Sequence, residues 1–287
     1  MNNLQMNQLS KEQTVQIREL EQVCLTHDGL LGTVFLSNEI NFSREVDSFY
    51  LLYDGERLVS FLSLFIPTKE QAEISAFTLP ECRNSGYFHL LFQKATNELK
   101  KHGIFQILFV HEPQSKDASA VLNHFGAGYS FSEYLLAYDR SVSLKCESNL
   151  RLERSSPELI PEIADLDTKV FHNQHEESVS MVTKSMESPE IQCYSAFLGD
   201  NLIGLCNVNL EGGDISIFGV GISPEYQGKG YGREMLNLLL DTLIHSQNGE
   251  ITLEVDSENA AAYHLYITSG FRIKTQFDYH TYLLEKE

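Results

Sequence analysis

Read for the spacing of its apolar residues, the chain runs through one series of elements twice. In the second half, "PELIPEIADLDTKVF" has helical spacing behind leading prolines, and "EIQCYSAFLGDNLIGLCNVNLEGGDISIFGVGI" breaks into three strands at Gly-Asp-Asn and Gly-Gly-Asp turns. A glycine-rich segment follows, then a helix "GREMLNLLLDTLIHS", a strand "EITLEV", a short helix "NAAAYHLYITS" and two strands, "FRIKTQF" and "YHTYLLE". In the first half, "SKEQTVQIRELEQV" predicts a helix whose Ser10 and Gln13 match a capping box. There "SFYLLYDGERLVSFLSLFI" predicts a hairpin over Asp54-Gly55 and "QAEISAFTL" a third strand. "GYFHLLFQKATNELKKHG" predicts a helix ended by Gly103, with "FQILFV" as the next strand.

An offset of about 144 residues, the period at which the chain is compared with itself, puts Leu58 on Leu202, Gly86 on Gly230, Ala118 on Ala262, Gly126 on Gly270 and Tyr138 on Tyr282. The polar stretch "DRSVSLKCESNLRLERSSPE" carries no apolar period and reads as the connection. The expectation is a duplicated α/β (α+β) chain, with one domain in residues 1–142 and another in residues 143–287.

Composition narrows the function. With 42% hydrophobic and 21% charged residues in 287, the chain is of ordinary globular make-up. The longest apolar runs, such as "LVSFLSLFI", are strand-length, and "MNNLQMNQLSKEQ" lacks a basic-then-apolar leader, so a cytoplasmic protein without a membrane partner is expected. Cys24, Cys82, Cys146, Cys193 and Cys206 are odd in number and form no CxxC pair, which predicts buried free thiols and no metal site. A net charge of −19 speaks against nucleic acid as a partner. The charge is uneven: residues 1–142 carry 11 basic and 17 acidic side chains, and the remainder 10 and 23. That balance favours a cationic small partner in the second half.

The chemistry concentrates in "PEYQGKGYGREM", residues 224–235. Glycines 228, 230 and 232 stand just before a helix, where bare backbone amides and the helix dipole suit an anion. A Walker loop is excluded, because Ser223 stands where its first glycine belongs and Gly230 where its Ser or Thr belongs. A dinucleotide fingerprint fails at Arg233.

This segment resembles the acetyl-CoA signature of the GNAT superfamily of N-acetyltransferases, which is Gln or Arg, two residues, Gly, one residue, then Gly or Ala. Gln227, Gly230 and Gly232 fill it. A second signature of that family follows at Asn259, Ala262, Leu265, Tyr266, Gly270 and Phe271. The clear resemblance covers roughly residues 200–285, and the repeat extends it to most of the chain. It implies two tandem domains, each a central mixed, mostly antiparallel sheet flanked by helices. It also implies an enzyme that moves an acetyl group from acetyl-CoA directly to an amine.

The backbone of Gln227, Gly228, Lys229, Gly230, Tyr231 and Gly232 would then hold the pyrophosphate, with Lys229 offering a charge. A backbone amide in Val220, Gly221 and Ile222 would polarise the thioester carbonyl. Asn259 would bind the pantetheine arm or cap its helix. Tyr266 would be the general acid, since a phenol with a pKa near 10 keeps its proton at neutral pH. The general base stays open among Glu211, Asp214, Glu254, His172, His175 and a water chain; His172 and His175, with Glu176 and Glu177, lack a complete metal pattern.

The first half departs from the pattern where Phe88 stands for Gly232, Ser115 for Asn259 and Leu122 for Tyr266, so it is expected to be a non-catalytic copy that shapes the acceptor cleft; CoA binding by this half stays open, since Phe88 alone does not decide it. Two other readings remain open: an acyl-CoA sensor without turnover, and transfer of a longer acyl group or transfer to a hydroxyl.

Overall fold

The computed structural model describes residues 1–142, 148–210, 213–246 and 248–285. Glu211 and Cys146 lie outside the described residues. The chain forms two compact units, one of Met1–Ser132 together with the stretch from Thr275, the other of Glu133–Lys274.

The first unit contains β1 (Asn2–Met6), α1 (Lys11–Asp28), β2 (Phe49–Asp54), β3 (Arg57–Phe65), β4 (Gln71–Thr78), α2 (Tyr87–Lys101), β5 (Gln106–His111) and α3 (Lys116–Phe125). The capping box at α1 is formed: Gln13 N donates to Ser10 Oγ at 3.2 Å, and Ser10 N donates to Gln13 Oε1 at 2.9 Å. The Asp54-Gly55 hairpin joins β2 to β3, with Gly55 at φ 61°. Strand β1, absent from the sequence reading, pairs antiparallel with β2 through a short segment that has no apolar alternation of its own.

The second unit contains β6 (Gly128–Tyr138), from Glu133 onward, then β7 (Leu150–Arg154), α4 (Ile160–Phe171), α5 (His175–Glu187), β8 (Ile191–Leu198) and β9 (Asn201–Asn209). It continues with β10 (Ile215–Ile222), α6 (Tyr231–Ser246), β11 (Ile251–Asp256) and α7 (Ala260–Thr268). One strand, β12 (Phe271–Leu283), replaces the two read from the sequence, because the polar Asp278 that suggested a break simply pairs with His111.

Each unit has a mixed sheet in which, among the described residues, the strand pairings are antiparallel except one, β4 with β5 in the first and β10 with β11 in the second. Each sheet also takes a strand from the other half of the sequence. The Asp278–Leu283 part of β12 pairs with β5, and the Glu133–Ala137 part of β6 pairs with β11. The chain therefore passes between the units inside two strands, and the last strand of each repeat completes the opposite sheet.

In the second unit, α6 and α7 bury their apolar stripes on one sheet face. Met235, Leu236, Leu239, Leu240 and Tyr266 pack there with Cys206, Val208, Ile217 and Leu253. Helix α4 lies on the other face, where a Cβ at Gly221 would come within 2.5 Å of Val170 Cγ1 and 3.2 Å of Phe171. The glycine lets the end of α4 sit directly on β10.

Candidate active site

Strands β10 and β11 run in parallel register only from Ile215/Ile251 to Ile217/Leu253. Beyond that point β10 continues to Ile222 and β11 to Asp256 without a shared register, so their ends part and leave backbone edges open. A second irregularity lies on the other side of β10. Its antiparallel pairing with β9 shifts between Phe218 and Gly221, so that Gly219 and Val220 together face Cys206. This is a β-bulge, which bends the strand away from its neighbour. Gly219 supplies the left-handed φ of 58° that the bulge requires, and it is the first of the two glycines in "FGVGI", glycines inside a strand being a bulge signal.

The strand leads into a 3-10 turn at Pro224–Tyr226, an extended Gln227, and then Gly228 and Gly230 at φ 71° and 91°. Among the described residues, the N–H groups of Gly228 through Gly232 donate to no protein acceptor. A Cβ built on Gly228 or Gly230 meets nothing within 4 Å, and one on Gly232 would make only ordinary contacts with Leu265 and Ile222. Five successive free donors at the start of the 16-residue α6, with open space before them, form an anion cradle.

The side chains of the loop serve the loop itself. Gln227 Nε2 donates to Ile222 O at 2.9 Å, and Lys229 folds back to donate to Glu225 O at 2.7 Å, above the Tyr226 ring. A groove of about 590 Å³ opens on the α4 side of the turn, lined in part by Glu162, Lys169, Asp200, Ser223, Glu225 and Tyr226. It adjoins the loop but contains none of the cleft residues.

Asn259 caps α7, its Oδ1 accepting from Ala262 N at 3.1 Å. Tyr266, 6% exposed, lies in the same apolar cluster as Cys206 and Ile222, which flank the bulge. Burial, with the Cys206 thiol as a lesser cause, pushes its phenol up to about 12, so it stays protonated through the physiological range.

The base candidates separate clearly. Asp214 precedes the paired end of β10, away from the parting of the strands. His172 closes α4 in a left-handed conformation at φ 61°, and His175 opens α5 with its Nδ1 3.5 Å from the Asp165 carboxylate. Glu254 alone stands on the open part of β11. It is accessible to solvent, yet protein atoms surround its carboxyl closely enough that desolvation pushes its pKa up to about 7, with the nearby Glu133 charge as the second cause. Glu133 faces Asp256 across β6 and β11, and Glu254 is its diagonal neighbour.

The first unit repeats the loop backbone and the parting of its parallel pair, since β4 and β5 share register only from Gln71/Gln106 to Ile74/Phe109, but it does not repeat the bulge. Arg83 and Gln227 share nearly the same dihedrals, and Asn84 and Gly86 take φ 59° and 79° where Gly228 and Gly230 stand. Arg83, however, is bound to Asp28 at 2.6 Å and to Asp117 at 2.5 Å, which ties its loop to α1 and α3. Phe88 joins an aromatic cluster with Phe92 and Phe125, and Leu122 is buried where the second unit has Tyr266. The β3–β4 register runs from Ser60/Thr78 to Phe65/Glu73 without a shift, so the bulge is missing.

Comparison with known proteins agrees with this geometry. The model of the acetyltransferase (GNAT) family matches residues 14–127 and again residues 159–271. The chain belongs to the GNAT family. It is an acyltransferase built from two GNAT repeats. Over 113 residues it is 29% identical to the N-alpha-acetyltransferase RimI of Mycobacterium tuberculosis, covering 38% of this chain and 70% of that protein. Over 62 residues it is 37% identical to the [ribosomal protein bS18]-alanine N-acetyltransferase of Escherichia coli K12, covering 22% of this chain and less than half, 42%, of the relative. Among solved structures, a GCN5-related N-acetyltransferase from Sphaerobacter thermophilus superposes with a TM-score of 0.74 at 14% identity, covering 99% of this chain and 96% of the other. A tandem GNAT protein from the clavulanic acid biosynthesis pathway gives 0.72 at 14% identity over the whole of both chains. No helix among the described residues of this GNAT protein is long and apolar enough to cross a membrane.

Proposed function

We infer that the second GNAT repeat transfers an acetyl group from acetyl-CoA to a primary amine, and that it is the one catalytic centre of the chain. The observation that carries this reading is the bulge beside the parted β10–β11 pair, which the first unit lacks, together with Tyr266 where the first unit has Leu122. The free N–H groups of residues 228–232 suit the pyrophosphate. The open β10 edge suits the amides of the pantetheine arm, which would pair with it as a strand would. A backbone N–H of Val220 to Ile222 would donate to the thioester oxygen as it gains charge.

Glu254 takes a proton from the bound ammonium, which frees the nitrogen lone pair to attack the carbonyl carbon. The C–N bond forms, the nitrogen sheds its second proton to solvent, the oxyanion collapses and the C–S bond breaks; Glu254 then releases to solvent the proton it took. Tyr266 gives its proton to the leaving thiolate and regains one from solvent. The products are the acetylated amine and free CoA. The name of the Mycobacterium tuberculosis relative supports a nitrogen acceptor.

A thiol-release assay with acetyl-CoA and a panel of amines tests the reading. Amine-dependent release that Tyr266→Phe lowers about 10²–10⁴-fold is expected. Tight acetyl-CoA binding with no release for any amine would overturn transfer in favour of a sensor.

A further inference from the structure

The sheet registers place three side chains of the second unit in one row. Val208 pairs with Ile217, and Ile217 pairs with Leu253; all three lie in the core beneath α6 and α7. One residue further along, Asn207 pairs with Phe218, and Glu254 follows Leu253. Because side chains alternate across a strand, Asn207, Phe218 and Glu254 all project from the opposite face, the one that carries α4. Phe171, at the end of α4, stands over the same stretch of β10 and is 38% exposed.

Asn207 is unusual within this row. Its amide packs on the bulge: a Cβ at Gly219 would lie 2.9 Å from Asn207 Nδ2. The side chain is half-buried, yet among the described residues it has no hydrogen-bond partner. The neighbouring Asn209 does have one. The Asn207 amide is not among the enclosed unpartnered groups, so it is open to solvent and its hydrogen bonds are available to an incoming group. The corresponding position of the first unit, Ser63, has its hydroxyl directed at Ser75 O across an unbulged pair.

We propose that Asn207 reads the acceptor, and that the acceptor is an amine whose next polar group is an amide, as at the N-terminus of a peptide. This rests on the reading of the second repeat as an amine acetyltransferase. Adjacent strands lie about 4.8 Å apart, so across the paired Val208–Ile217–Leu253 row the outer backbones are about 10 Å apart, and Asn207 and Glu254 stand one residue beyond it on either side of Phe218, where β10 and β11 begin to part. An acceptor with its amine at Glu254 meets Asn207 with a group only a few atoms away. Asn207 presents a donor and an acceptor side by side, and an amide satisfies both at once. A polyamine would leave the Asn207 NH2 group without an acceptor.

The test uses the full-length protein and two probes, alanyl-alanine amide and butylamine. In ¹⁵N-labelled protein saturated with CoA, the Asn207 side-chain NH2 signals are identified by their loss in Asn207→Asp. They are expected to move on adding the peptide and to stay in place with butylamine. In steady-state assays with acetyl-CoA, Asn207→Leu is expected to lower the ratio of peptide to butylamine kcat/KM by roughly 10- to 100-fold, the worth of one or two hydrogen bonds, with unchanged CoA affinity. NH2 signals that ignore the peptide, or equal losses for both probes, overturn the proposal. Absence of transfer from the wild-type protein to any amine defeats the acetyltransferase reading instead, and the NMR titration still decides the role of Asn207.

Discussion

The pH dependence of transfer offers the most direct check on Glu254. If this carboxylate with a pKa of about 7 must be ionised to accept the proton, kcat/KM rises with pH and levels off above that value. A single titration with that pKa leaves about one-tenth of the plateau rate at pH 6 and about one-hundredth at pH 5. An acceptor amine titrates too, so the slope alone cannot assign the group. Glu133 can. Its charge is the second cause of the raised pKa, after desolvation, and it lies across the β6–β11 pair. Glu133→Gln removes the like charge and leaves the burial, so the limb moves to lower pH but stops above the ordinary carboxylate value. The amine titrates identically in both proteins, and any shift between them belongs to the enzyme. The assay is thiol release at subsaturating acceptor from pH 5 to 9, with thermal melts at each pH to confirm folding. A folded Glu133→Gln enzyme whose limb coincides with the wild type refutes the assignment, as does a Glu254→Gln enzyme that keeps both limb and rate.

Stability follows the same carboxyl: its folded pKa lies above the unfolded value, so its contribution is fully present below about pH 4.5, is lost as pH rises through 7, and is then constant; Glu254→Gln should gain Tm relative to wild type across that window, and a pH-independent difference would contradict the raised pKa. Tyr266→Phe should keep CoA affinity by calorimetry while chemistry slows; an unchanged single-turnover rate would remove the phenol from the mechanism. Gly86 and Gly230 share a left-handed φ of 79° and 91°, so a leucine at either carries a similar backbone strain of about 1–3 kcal/mol; Gly230→Leu should abolish transfer and Gly86→Leu, if folded, should spare it, and the reverse pattern would put the catalytic centre in the other repeat. Deleting residues 1–142 removes β6, the antiparallel partner of β11, and β5, the partner of β12; the fragment should be insoluble or inactive, and a soluble, fully active fragment would show that β11 needs no partner.

How much of this was legible in advance depends on the range of the interactions involved. The capping box at Ser10, the hairpin at Gly55, the duplicated order of elements and the glycines before α6 were all readable, because each is set by residues within a few positions of one another. Gly228 and Gly230 take positive φ as glycines before a bound anion are expected to, and the departures at Phe88 and Leu122 marked the altered first repeat. Four other features needed the folded chain. Strand β12 is continuous and completes the first sheet, since strand pairing is chosen by partners far away in sequence. Arg83 fits the loop pattern as well as Gln227 does, and only the approach of Asp28 and Asp117 turns it into a tie. Glu254 was one of several acids until the register put it on the open part of β11 beside Glu133. Asn207 carried no signal at all in the sequence. Its place beside the bulge follows from a shift between two strands, and side-chain alternation then decides which face of the sheet it serves.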